Sequence, residues 1–173
     1  MVRHVGDLNE IDAILWQFLD CARDGSEEES ALGDLNAIVA DVCRRYIELG
    51  NAVELRLGSL PRIRFRRLAL RRVITNLVDN AVRYGGKEIQ VETENLGSQA
   101  AVTILDNGPG IRSGSPSDFI QPFTRENPSR SQSGAGLGLT IADRVLRSHG
   151  GRLQVENRPT GGFLASIDMP IGR

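Results

Sequence analysis

The chain has 173 residues, enough for one domain of ordinary size with a short appendage. It is 40% hydrophobic and 25% charged, with a formal net charge of -1, which gives no general attraction to nucleic acid or to a membrane surface. No apolar run approaches the roughly 20 residues that span a bilayer, and no signal-peptide pattern follows Met1, so the polypeptide is expected to be soluble.

Residues 5–23 carry Leu8, Ile11, Leu15, Phe18 and Ala22 at alternating three- and four-residue steps, a heptad seam. Ile14, Trp16 and Leu19 widen its apolar face. A helix with that face needs a partner. It docks on its own domain or packs in an intermolecular bundle, and the charged linker that follows favours the bundle. That linker, Asp24-Gly-Ser-Glu-Glu-Glu-Ser30, has no apolar residue. The chain divides accordingly into a helix at 1–24, a linker at 25–33 and a main domain at 34–173.

A second helix is expected over about 34–49, with Asp34 as N-cap, Gly50 as stop, and Leu35, Ile38, Val39, Val42 and Ile47 buried. Residues 53–57 alternate like a half-buried strand, and 62–65 form another short one. A long helix follows over about 67–84, burying Leu70, Val73, Ile74, Leu77, Val78 and Ala81. Strands at 88–95 and 100–105 make a hairpin around Gly97-Ser98. Residues 106–135 form a long Gly/Pro/Ser/Asn-rich loop, of the functional or mobile kind. It holds one apolar turn at 117–122. A helix at 137–149 and strands at 153–157 and 163–169 complete the chain. Strands paired between single helices predict an α+β fold, a mixed and mostly antiparallel sheet with helices on one face.

Cys21 and Cys43 lack a CxxC partner or a nearby His at metal-ligand spacing and read as reduced core or interface residues of a cytoplasmic protein. His4 reads as terminal surface, and His149 as a residue suited to the negative end of a helix. Six arginines between Arg62 and Arg72 read as a solvated face, with a docking surface for an acidic partner as the alternative.

Three stretches point to chemistry. On the long helix, Asn76, Asn80 and Arg83 recur one turn apart, beside Tyr84. Two amides and a guanidinium suit a metal-bound polyphosphate lying along the helix; a chance solvated stripe is the alternative. Asp106-Asn-Gly108-Pro-Gly110 follows a strand. An aspartate fixed there accepts from an adenine amine and offers nothing to a guanine carbonyl, while taken alone it is a tight turn. Gly134-Ala-Gly136-Leu137-Gly138-Leu139 opens a helix, where exposed N–H groups and the positive dipole end meet an anion; a hinge is the plain alternative. No Lys-Ser/Thr follows these glycines, so this is not a P-loop. Arg125 and Arg130 lie between the two glycine clusters, as lid residues over phosphates or as a polar loop.

Asn76-x-x-x-Asn80, Asp106-x-Gly108-x-Gly110, Phe119 to Phe123 and Gly134-x-Gly136-x-Gly138, in that order, resemble the N, G1, F and G2 boxes of sensor histidine kinases. These kinases belong to the GHKL ATP-binding superfamily with gyrase, Hsp90 and MutL. The resemblance runs from about residue 34 to the C-terminus and is nearest to EnvZ-like osmosensor kinases. It implies the Bergerat fold, a two-layer α/β sandwich preceded by one dimerisation-type helix. It implies ATP and Mg²⁺ as ligands, with Asn80 on the metal and Asn76 supporting metal and phosphates. Arg83 would meet phosphates and Tyr84 would line the adenine or ribose region. Asp106 would bind the adenine amine, with Gly108, Gly110 and Ile111 beside the ring. Arg125, Arg130, Gly134, Gly136, Leu137, Gly138 and Leu139 would belong to the lid and phosphate wall.

The gyrase-like branches carry a glutamate where this chain has Asn76, and an amide is no general base near neutral pH. Phosphoryl transfer to a histidine is therefore expected over hydrolysis. The family's His-Glu-type acceptor box is absent: His4 is followed by Val5-Gly6-Asp7. The resemblance thus implies a chain that binds Mg-ATP but does not phosphorylate itself. Its partners would be a histidine-bearing hairpin and a cognate response regulator, with no nucleic acid. The implied parent is a homodimer in the bacterial inner membrane, with this domain in the cytoplasm. A non-catalytic ATP-gated interaction module and a GHKL ATPase are the other readings, the second disfavoured by Asn76.

Overall fold

The fold is built around one long helix whose apolar residues recur with helical period. The computed structural model describes residues 28–112, 114–121 and 137–172. The expected helix at 5–23, with His4 and Cys21, and the loop residues Phe123, Arg125, Arg130, Gly134 and Gly136 lie outside them.

Helix α1 is Leu35–Glu48 and helix α2 is Arg67–Tyr84. In α2, Ala69, Leu70, Val73, Ile74, Leu77, Val78 and Ala81 form the buried stripe, as the spacing predicts. The helix stops at Gly85, whose N–H donates to the Ala81 carbonyl at 2.8 Å. Its first turn has no capping side chain of its own at Arg66. Instead the Glu28 carboxylate accepts from the N–H groups of Leu68 at 2.9 Å and Ala69 at 3.3 Å. A carboxylate there satisfies orphan donors and complements the helix dipole.

In α1, Asp34 caps as expected, accepting from Ala37 N at 3.1 Å. The expected burial of Ile47 does not hold, since it is 44% exposed. Each residue turns a helix by about 100°, which carries Ile47 off the stripe and leaves Cys43 and Tyr46 facing inward. Cys43 is a free thiol, and burial pushes its pKa up to about 11. It is thus the inert core residue that the sequence suggests.

Strands β2 (Ala52–Leu57), β4 (Glu88–Asn95), β5 (Gln99–Asp106), β7 (Phe163–Pro170) and β6 (Arg152–Asn157) form one sheet in that order. Only the β2–β4 pair is parallel. Alternation sends Ile89, Val91, Val102, Ile104, Ala165 and Ile167 into the core shared with the helices. The opposite face is polar, with Arg56 between Glu54 and Glu92, Thr103 beside Ser166, and Arg152 on Asp168. This is the expected α+β sandwich.

The linker reading of 25–33 needs a correction at its end. Ala31–Gly33 forms a strand, β1, paired antiparallel with β3 (Ile63–Phe65). Leu32 is 56% exposed, so β1 lacks the apolar alternation that reveals a strand. Gly33 makes room for the Phe65 ring, whose Cζ would lie 2.5 Å from an added Cβ. The arginine-rich stretch serves this seam. Arg62 donates to the Leu32 carbonyl at 3.2 Å and Arg64 to the Ser30 carbonyl at 2.8 Å, while Arg71 pairs with Asp41 and joins α2 to α1.

The third helix, α3, is Gly138–Ser148, with His149 at its C-cap. His149 is not the exposed cation that a helix C-terminus invites. Its Nδ1 lies 2.7 Å from the Val145 carbonyl, and its Nε2 accepts from Arg66 N at 3.1 Å. These partners require the neutral Nδ1–H tautomer. Burial foremost, with the Arg66 charge, lowers its pKa, against the raising effects of Val145 and Glu28. The ring thereby ties the end of α3 to the start of α2. Because the folded pKa is depressed, the unfolded chain binds the proton more readily, and stability present above about pH 6.5 is lost as pH falls. His149→Gln keeps an acceptor for Arg66 N but cannot titrate. Its unfolding free energy is expected to change less than wild type between about pH 6.5 and 5. Denaturant melts across that range check this, and equal slopes would contradict it.

Candidate functional site

Asn76 and Asn80 are half-buried on α2, one turn apart, and face the start of α3. Asn76 Nδ2 lies 3.4 Å from the Gly138 carbonyl, a long hydrogen bond. A Cβ on Gly138 would sit 3.8 Å from Asn80 Nδ2 and 3.9 Å from Asn76 Cβ. The amide stripe and the glycine-led helix are therefore one wall. Among the described residues no side chain caps the first turn of α3, and N–H groups at a helix start suit an anion. Leu137, 6% exposed, anchors that turn in the core, with Leu139 packed at its edge. A 3-10 turn, Pro116–Ile120, carries the expected apolar pair Phe119 and Ile120. Thr140 Oγ1 donates to the Ile120 carbonyl at 2.7 Å and pins the turn to α3.

Arg83 and Tyr84 are exposed in the last turn of α2. Behind them the Tyr46 hydroxyl donates to Asp79 Oδ1 at 2.7 Å, joining α1 to α2. Burial foremost, then the Asp79 carboxylate, raises the Tyr46 pKa, while Arg83 is near enough to lower it slightly. The α2 residue between the two amides thus braces the helix from the other side.

Asp106 is the last residue of β5 and only 5% exposed. Its Oδ1 accepts from Gly108 N at 2.9 Å and Phe163 N at 3.1 Å. Its backbone carbonyl accepts from Arg158 Nη1 at 2.7 Å. Oδ2 takes no hydrogen bond among the described residues. A buried carboxylate oxygen with no donor is costly unless a ligand supplies one. The carboxylate is reached only because glycines surround it. A Cβ on Gly85 would lie 2.4 Å from Asp106 Cγ, and one on Gly108 would lie 2.6 Å from Gly85 C. Gly85 follows Tyr84 directly, so the amide helix and the aspartate loop share one junction.

Gly110 adopts φ +63, the left-handed region where a side chain is strained. The next residue, Ile111, is held by Asn157, which accepts from its N–H at 2.8 Å and donates to its carbonyl at 2.7 Å. Sequence reasoning missed Gly85, Asn157, Arg158 and Gly162. Gly85 reads as a helix stop and 159–162 as a turn, because nothing in a linear sequence shows that the β6–β7 hairpin stacks on the Asp106 loop. The one available signal is the Gly85-Gly86 pair directly after the amide stripe.

The hairpin glycines offer a paired test. Gly161 and Gly162 both have positive φ, +92 and +96. A Cβ at 161 meets nothing within 4 Å, whereas one at 162 would lie 2.0 Å from the Asp106 carbonyl oxygen. Both substitutions carry backbone strain, so Gly162→Ala is expected to destabilise by about 1–3 kcal/mol more than Gly161→Ala. Denaturant unfolding of the two variants checks this; equal losses would contradict the packing described.

The family model of histidine kinase-, DNA gyrase B-, and HSP90-like ATPases matches residues 66–173. The chain is 33% identical to the alginate biosynthesis sensor protein KinB of Pseudomonas aeruginosa over 150 residues, 83% of this chain and 25% of KinB. It is 31% identical to the sensor histidine kinase GtrS of the same species, over 95% of this chain and 34% of GtrS. The chain thus spans a quarter to about a third of the length of these relatives. Among solved structures, the histidine kinase domain of the E. coli osmosensor EnvZ superposes with a TM-score of 0.67 at 31% identity, covering 86% of this chain and 93% of that one. The chain belongs to the histidine kinase-, DNA gyrase B-, and HSP90-like ATPase family, as an ATP-binding catalytic domain of the sensor histidine kinase type.

Proposed function

We propose that this domain holds Mg-ATP between the Asp106 loop and the amide stripe of α2, and hands the γ-phosphoryl group to a histidine on a separate helical hairpin. The observation that carries the reading is the buried Asp106 carboxylate, whose Oδ2 has no donor among the described residues. An adenine amine supplies that donor, and a guanine carbonyl would face the oxygen without one. Gly108, Gly110 and Ile111 flank the ring, and the exposed Tyr84 lines the adenine or ribose side.

Toward the phosphates, Asn80 and Asn76 offer amide oxygens, the hard donors that Mg²⁺ prefers. Asn76 spends Nδ2 on Gly138, which leaves its oxygen available. Among the described residues no group of three or more His, Cys, Asp or Glu side chains converges, so the donor set suits a metal that arrives with phosphates and keeps waters. When bound, Mg²⁺ offsets phosphate charge as it builds on the leaving group. Arg83 and the N–H groups at Gly138 and Leu139 supply further positive potential. Arg125, Arg130, Gly134 and Gly136 belong to the lid in this reading.

The acceptor nitrogen forms the new N–P bond as the bond from phosphorus to the β,γ-bridging oxygen breaks, and ADP leaves. Asn76 abstracts no proton from water, which keeps ATP for that acceptor. The parent in this reading is a homodimer in the bacterial inner membrane that presents this domain to the cytoplasm and phosphorylates a cognate response regulator. Among the described residues no helix is long and apolar enough to cross a membrane.

Two experiments test the reading. Asn80→Ala and Asp106→Ala are each expected to weaken Mg-ATP by about tenfold to a hundredfold, from the loss of about 1–3 kcal/mol of polar recognition. Unchanged titrations by both folded variants would overturn the site. Incubated with γ-labelled ATP, the chain alone is expected to acquire no covalent label, and an added histidine-bearing hairpin is expected to acquire it. Label on this chain would contradict the claim that it does not phosphorylate itself. Binding without transfer to the hairpin would favour a nucleotide-gated interaction module.

A further inference from the structure

The Asp106 loop is made mostly of residues that hold little conformation by themselves. In Asn107-Gly-Pro-Gly110 only Pro109 carries an apolar side chain and a fixed φ, and two of the four residues are glycines. Its order is supplied from outside, by Glu88 at the start of β4, which bonds both polar atoms of the Asn107 side chain, and by the mouth of the β6–β7 hairpin. Asn157 and Phe163 are the paired residues that close that mouth. Phe163 N and Arg158 Nη1 grip the first residue of the loop, donating to Asp106 Oδ1 at 3.1 Å and to its carbonyl at 2.7 Å. Asn157 grips the other end through both polar groups of the Ile111 backbone, at 2.8 and 2.7 Å.

Only a short primary amide satisfies that end. The Ile111 N–H needs an acceptor and its carbonyl needs a donor, and one Asn side chain presents both in a plane. Aspartate would set a charge against the carbonyl, and alanine would leave both groups unmet. Gly110 is fitted to the same contact. A Cβ there would lie 2.8 Å from Asn157 Oδ1 and 3.1 Å from the Gly162 carbonyl. With both ends fixed, Gly108 N stays in place to hold Oδ1, and the carboxylate can present only Oδ2.

We infer that Asn157 is a positioning residue for nucleobase recognition: by clamping Ile111 it fixes the orientation in which Asp106 meets the adenine amine. The inference rests on the adenine reading of Asp106. It concerns selectivity, which a merely stabilising contact would leave alone. A loop released at Ile111 loosens the Gly108 N–H and leaves Oδ1 held by Phe163 N alone, so the carboxylate is less firmly oriented and the amine contact weakens while the ring and phosphates keep theirs.

The test uses the full chain with Mg²⁺ and two nucleotides, ATP and purine riboside triphosphate, which lacks the exocyclic amine. Calorimetric titration gives the ratio of their affinities. Asn157→Ala is expected to reduce the preference for ATP by about tenfold, the size of one lost polar contact of about 1.4 kcal/mol. The affinity for the analogue should change little. An unchanged ratio, or an equal loss for both nucleotides, overturns the inference. If Asn157→Ser is needed because Asn157→Ala does not melt cooperatively, it decides by the same ratio, since its shorter side chain lacks the two outer atoms that reach the Ile111 N–H and carbonyl. Asp106→Asn separates the two levels. Loss of the ATP preference there with an intact ratio in the Asn157 variants overturns the clamp alone. An intact preference in folded Asp106→Asn overturns the adenine reading itself.

Discussion

A buried carboxylate has to be paid for, and the arrangement around Asp106 is how this fold does it. The side chain is 5% exposed, with one oxygen held by two backbone N–H groups. A carboxylate in that setting costs several kcal/mol unless its lone pairs are met. Two segments meet them on Oδ1, the loop after β5 through Gly108 N and the mouth of the β6–β7 hairpin through Phe163 N, and the glycine that ends α2 packs against the side chain. Each approaches so closely that a Cβ at Gly85, Gly108 or Gly162 would collide. Sheet, helix and hairpin are thus locked together around Asp106, and among the described residues Oδ2 is the carboxylate oxygen left without a donor.

The other half of the site depends on α2 having two faces. One buries Leu70, Val73, Ile74 and Leu77 at 2% exposure or less. The other turns Asn76 and Asn80 toward Gly138. The helix is fixed at both ends by groups from elsewhere. Glu28 and His149 hold its first turn, through Leu68, Ala69 and Arg66. Tyr46 holds Asp79 near its last turns. Position along the helix axis matters for a phosphate site, since a shift of one residue moves a donor by about 1.5 Å. Glu28 thereby ties the residues just before β1 to the helix that carries Asn76 and Asn80.

Much of this is legible in the sequence, for identifiable reasons. The bounds of α2 follow from apolar period and a following glycine pair, both local signals. The hairpin of β4 and β5 follows from alternation around Gly97-Ser98. The candidate site residues Asn76, Asn80, Asp106 and Gly138 stand out in the sequence because unusual residue types sit at meaningful spacing, and the fold brings Gly138 against Asn76 and Asn80. What escapes is non-local. Strand β1 has an exposed leucine and no alternation, and its pairing is made by backbone and arginine contacts to residues some 30 positions away. Asn157 and Arg158 act on a loop 46 and 52 residues upstream. His149 suits a charged role by its place at a helix end, but burial and the Arg66 N–H select the neutral ring. Ile47 misses the core by one step of helical rotation.

The central claim is that nucleotide enters at the junction of Asp106 and the amide stripe. Backbone amide NMR of the whole chain during a Mg-ATP titration tests it most directly. The Gly108 and Phe163 amides donate to Asp106 Oδ1, and Gly138 faces Asn76 and Asn80. The account predicts saturable shifts at all three with a common dissociation constant, while β1 and the polar outer face of the sheet stay still. Shifts confined to that outer face, with Gly108, Phe163 and Gly138 unmoved at saturation, would contradict it.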